Sequence, residues 1–68
     1  MKNAKDLKVG EKIFLKSHDR DGGIIRNTAI IDNVIDGKTD TTIVLHQVGY
    51  KTLLTFSVAK THKVENID

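Results

Sequence analysis

Residues 25–47 read Ile25-Arg26-Asn27-Thr28-Ala29-Ile30-Ile31-Asp32-Asn33-Val34-Ile35, then Asp36-Gly37-Lys38-Thr39-Asp40, then Thr41-Thr42-Ile43-Val44-Leu45-His46-Gln47. Two β-branched runs flank a polar break. Side chains branched at Cβ are restricted in a helix and pack well on a pleated surface. Asp-Gly between such runs is a hairpin signal, because glycine supplies the positive φ that a tight turn requires. The stretch therefore predicts a long strand, a hairpin and a returning strand. In the first run Ala29, Ile31 and Ile35 share one face, and Ile30, Asp32 and Val34 share the other. Apolar residues on both faces predict a bent strand serving two sides of a curled sheet. In the second run Ile43 and Leu45 oppose Val44 and His46.

The same alternation extends outward in both directions. Leu7-Lys8-Val9-Gly10 introduces a first strand over residues 11–17, with Ile13 and Leu15 on one face and Lys12, Phe14 and Lys16 on the other. Ser17-His18-Asp19-Arg20-Asp21-Gly22-Gly23 is polar and ends in glycines, so it reads as a loop. Gly49 marks a turn before a fourth strand over residues 51–57, in which Leu54 and Phe56 alternate with Leu53 and Thr55 and Phe56 is assigned to the core. Val58-Ala59-Lys60-Thr61-His62 is too short for an ordinary helix and suits one 3₁₀ turn. Lys63-Val64-Glu65-Asn66 then closes the sheet as a short fifth strand. Ile, Val and Thr supply 21 residues against eight for Leu and Ala together, which favours strands throughout.

This order of strand, long loop, long bent strand, hairpin, strand, turn, strand, short 3₁₀ turn and last strand resembles the SH3-like small barrels, a group that includes Tudor, KOW and Sm-like domains. The segment from Tyr50 to Val64 is similar in pattern to the closing segment of bacterial Sm-like proteins, over about 15 residues of strand, brief turn and final strand. The resemblance implies an all-β, five-stranded SH3-like barrel with one 3₁₀ turn before the last strand. It carries no RNA-contacting residue onto this chain, and a fold of this kind hosts many functions.

Sixty-eight residues make one domain, over residues 1–68, with residues 1–6 expected as a flexible basic N-terminus. A chain this short buries only about 60% of the surface its unfolded state exposes, so packing or self-association must supply its stability. There is no cysteine, which removes disulfides and thiolate zinc sites from consideration. His18, His46 and His62 stand in no ligand spacing, so no metal or cofactor is expected. No apolar run exceeds three residues, too short to span a membrane as a helix. The N-terminus carries no signal-like apolar segment, so a cytoplasmic location and a complete small gene product beginning at Met1 are expected.

Catalysis finds no constellation. Asp19-Arg20-Asp21-Gly22 could begin a calcium loop, but the later ligands, above all a terminal glutamate, are missing. Gly22-Gly23 is followed by a strand rather than a helix, so it is not a phosphate-binding loop. His46 and His62 have no serine or carboxylate in a recognisable relation. The chain is expected to be non-enzymatic.

Charge ranks the binding roles. The net charge is +2, placed as +3 over residues 1–26, −2 over residues 27–49 and +1 over residues 50–68. A basic N-terminal face beside an acidic middle puts nucleic acid first, with Lys12, Lys16, Arg20, Arg26 and Lys60 on phosphates and Phe14 or Tyr50 stacking on bases. The alternative is a protein-interaction or inhibitor module, of the kind a phage or mobile element uses against a host protein. Edge strands and an apolar patch holding Ile30 and Val34 would serve it, and the same edges would build a homo-oligomer. Capture of a small molecule or nucleotide by an oligomer ranks third.

Overall fold

The computed structural model describes residues 1–67. The chain runs through β1 (Lys2–Asn3), a 3₁₀ turn (Ala4–Asp6), β2 (Lys12–His18), β3 (Ile24–Asp36), β4 (Asp40–Gln47), β5 (Leu54–Ala59), β6 (Lys63–Val64) and β7 (Asn66–Ile67). It is all-β, with no α-helix among the described residues.

Five strands form one antiparallel sheet in the order β5-β4-β3-β2-β7, and β1 pairs with β6 in a small second sheet. The last segment therefore changes partner. Lys63 and Val64 pair with Asn3 and Lys2, and two residues later Asn66 and Ile67 pair with Ile13 and Lys12. Between the two, the Phe14 N–H donates to the Glu65 carbonyl at 2.9 Å. β5 and β7 are the ends of the large sheet and do not pair with each other, so the strands do not close into the expected five-stranded barrel.

The core lies on one face of this sheet. Ile13 of β2, Ala29 and Ile31 of β3, and Ile43 and Leu45 of β4 are buried, with Ala4 and Leu7 packed over them. Ala4 is fully buried, and its N–H donates to the His62 carbonyl at 2.8 Å. Residues 1–6, expected as a flexible lead-in, thus supply a strand, a turn and a core residue. The 3₁₀ turn is here rather than before the last strand. At residues 58–62 β5 runs on to Ala59, and a plain turn follows, with the His62 N–H donating to the Ala59 carbonyl at 2.9 Å.

The long strand is bent by a β-bulge. Ile31 faces Leu45, but Asn33 faces Val44, which leaves Asp32 as an extra residue. A one-residue insertion reverses which side chains point inward beyond it. Val34 consequently faces Ile43 and packs against the core, whereas Ile35 is 53% exposed. Strict alternation assigns these two residues the other way round. The bulge also removes Val34 from the outer apolar patch expected for a partner.

The Asp36-Gly37 hairpin forms where the sequence puts it, but for a different reason. Gly37 lies outside the left-handed region, and its N–H donates to the Asp40 carbonyl at 2.8 Å. A Cβ there would stand 2.9 Å from that carbonyl oxygen, so the turn needs glycine for close approach rather than for positive φ.

Candidate nucleic-acid interface

Beyond the core, β2 and β3 continue as a two-stranded arm. The β3–β4 ladder begins at Ala29 opposite Gln47, and β7 reaches only Lys12 and Ile13 of β2. The pairs Leu15–Asn27, Lys16–Arg26, Ser17–Ile25 and His18–Ile24 therefore have no third strand. Every residue from 16 to 26 is exposed. At about 3.3 Å per residue, four pairs make an arm on the order of 13 Å long before its tip.

The tip is tied by one carboxylate. Asp19 Oδ1 accepts from the Asp21 N–H at 2.9 Å and the Gly23 N–H at 2.7 Å, while the Asp19 N–H donates to the Gly23 carbonyl at 3.0 Å. Gly22 takes φ of +81°, a left-handed geometry that glycine adopts without steric cost. A Cβ on Gly23 would lie 2.7 Å from Asp19 Oδ2, so this position admits no side chain without movement. The loop is shorter than expected, because Ser17 and His18 belong to β2. With Asp19 engaged by backbone amides, Arg20 is left exposed at the turn with no ion-pair partner among the described residues.

Lys12, Phe14 and Lys16 alternate along β2 on the face away from Ile13 and Leu15. Across the ladder, Ile30 faces Lys12, Thr28 faces Phe14 and Arg26 faces Lys16. Lys12, Phe14, Lys16 and Arg26 thus share one face, with Arg20 at its distal end. Glu65 intrudes on this set, with Oε2 at 3.5 Å from Lys16 Nζ and 4.0 Å from Arg26 Nε. At these distances the contacts are electrostatic rather than hydrogen bonds, and Lys16 and Arg26 remain roughly half exposed. Glu65 is the more buried end, with Oε2 out of solvent and without a hydrogen bond, while the two cations stand partly in water, where long ion-pair contacts are weak.

Two expected residues lie elsewhere. Lys60 is at the other end of β3, where its Nζ is 3.2 Å from Asp36 Oδ1. Tyr50 is 66% exposed in the turn after β4, and its N–H donates to the Gln47 carbonyl at 3.0 Å, near the root of the arm. Phe56, assigned to the core from its alternation, is 44% exposed on the edge strand.

The arm also carries an apolar component that the sequence does not announce. Ile24 is 64% and Ile25 42% exposed, on opposite faces of the ribbon. No local signal marks them, because their exposure depends on β4 ending opposite Ala29 and β7 reaching only Lys12 and Ile13, both set by distant pairing. The Asp32–His46 pair, at 2.6 Å from Oδ2 to Nδ1, requires the β3–β4 register that sets Ile30 opposite His46, which alternation within each strand does not supply.

Comparison of the chain with protein-family models, curated proteins and solved structures finds no match.

Proposed function

We propose that this chain is a non-enzymatic nucleic-acid-binding module that uses the β2–β3 arm, carried on an SH3-like sheet left open between β5 and β7. The observation that carries this reading is the shared face of Lys12, Phe14, Lys16 and Arg26 leading to Arg20 at a tip stiffened by Asp19. A two-stranded ribbon is of a size that the major groove of duplex DNA admits. Cations spaced along one face contact successive phosphates, and half-buried Phe14 offers a ring to an unpaired base. The return of the last segment to β2 supports the SH3-like description.

Fluorescence anisotropy with labelled single-stranded and duplex oligonucleotides tests the proposal. Affinity must fall steeply with added salt, since each neutralised phosphate releases counterions. Absence of binding to DNA or RNA at low micromolar protein and low salt contradicts it. A protein partner on the same arm is the second reading, favoured by exposed Ile24 and Ile25. Salt dependence separates the two, because apolar docking varies little with ionic strength.

A further inference from the structure

The edge of β5 lacks the devices that keep sheet edges apart. Natural edges are blunted by lysine, proline, bulges or short length. Residues 52–59 contain no charged residue, no proline and no glycine. β5 pairs with β4 in unbroken register from Leu54–Leu45 to Ala59–Asp40, and its other edge has no partner strand among the described residues. The opposite end of the sheet is β7, only two residues long.

The core also stays open along β5. Leu54 faces buried Leu45 and Phe56 faces buried Ile43, yet Leu54 and Phe56 are 36% and 44% exposed. A cavity of about 300 Å³ lies on this side, lined by Phe56 and Val58 together with Ile13, Leu45 and Val64. A further strand beside β5 would extend the core face over these residues.

We propose that β5 pairs with β5 of a second copy of this chain, antiparallel about a two-fold axis through Phe56. In that register Phe56 faces its own copy, Leu54 faces Val58 and Thr55 faces Ser57. The period of two then keeps both core faces on one side of a continuous sheet. Charge selects this occupant. The chain as a whole is 29% charged, but a second copy brings to this edge the same neutral stretch, with no charge to bury. A nucleic-acid strand would bring phosphates that nothing on β5 neutralises. The sequence is self-complementary as well, apolar against apolar on the core face and hydroxyl against hydroxyl on the outer face. Pairing β5 with β7 of another copy would be heterologous and would engage only two residues of β7, whereas the β5–β5 contact is isologous and closes as a dimer. The dimer does not depend on what the arm binds.

Light scattering on the eluting full chain must give twice the monomer mass at micromolar concentration. Phe56→Lys and Phe56→Glu must each elute as monomer, since each sets like charges opposite one another. An equimolar mixture of the two must restore the dimer. A monomeric parent chain, a higher oligomer, or single variants that dimerise as well as the parent overturns the proposal. A separate measurement covers loss of folding in those variants. Directly opposed strand residues lie within the span of a disulfide, and the chain has no cysteine of its own. With an added thiol oxidant such as oxidised glutathione, Phe56→Cys must therefore form a disulfide-linked dimer, while Val9→Cys, at an exposed position outside the strands, must not. Equal cross-linking of the two overturns the proposal.

Discussion

Asp32 and His46 meet across β3 and β4, Oδ2 to Nδ1 at 2.6 Å, at the point where the ladder shifts register. Asp32 is the inserted residue, and its side chain reaches back to the strand from which its backbone has been displaced. The next residue contributes too, as Asn33 Oδ1 accepts the Val34 N–H at 2.9 Å. Together these contacts hold the bend that turns Val34 onto the core.

The bulge makes neighbouring residues unequal. Val34→Ala removes packing against Ile43 and is expected to cost about 1–2 kcal/mol, whereas Ile35→Ala at an exposed site is expected to cost less than about 0.5 kcal/mol. Urea denaturation midpoints check the difference. The reverse ranking would place Ile35 in the core and remove the bulge from the account.

The tip of the arm depends on one carboxylate and one missing side chain. Asp19→Ala gives up both acceptor contacts to the Asp21 and Gly23 amides, at an expected cost of about 1 kcal/mol. Gly23→Ala brings a Cβ into Asp19 and is expected to open the same turn. Hydrogen exchange at the Asp21 and Gly23 amides should accelerate in both variants, with the exchange of core amides such as Ile31 unchanged.

The sequence shows the β class, the hairpin positions and the split of β2 into core and basic faces because each follows from alternation or a glycine within a few residues. What it hides comes from contacts between distant residues. The bulge at Asp32 is a one-residue slip that a period of two cannot reveal. Ala4 is buried because its backbone meets His62, 58 positions away in sequence. Of the proposed cations, Lys12, Lys16, Arg20 and Arg26 are close in sequence and are brought to one arm, whereas Lys60 is carried to the far end with Asp36. Glu65 beside Lys16 and Arg26 could not be foreseen without the pairing of the last segment with β2.

Glu65 sets how much charge the arm presents. Its contacts with Lys16 and Arg26 are partly exposed, and pairs of this kind are worth about 0.2–1 kcal/mol. Glu65→Gln is therefore expected to raise oligonucleotide affinity by a few-fold at low salt. Unchanged or weaker binding in an anisotropy titration would place the nucleic acid away from this face.

Lys60→Gln is expected to leave oligonucleotide affinity within experimental error, since the side chain sits with Asp36 at the opposite end of β3. Its stability cost is expected to stay below about 1 kcal/mol for an exposed pair. A loss of binding equal to that of Arg20→Gln would show that the arm is not the contact surface.

The most direct test is the salt dependence of oligonucleotide binding for the parent chain beside a variant with Lys12, Lys16, Arg20 and Arg26 all changed to glutamine. Four phosphate contacts predict a slope of log affinity on log salt of about −3 to −4, lost almost wholly in the variant. A parent chain that binds no nucleic acid at low salt, or a folded variant that keeps the parent's slope, contradicts the account.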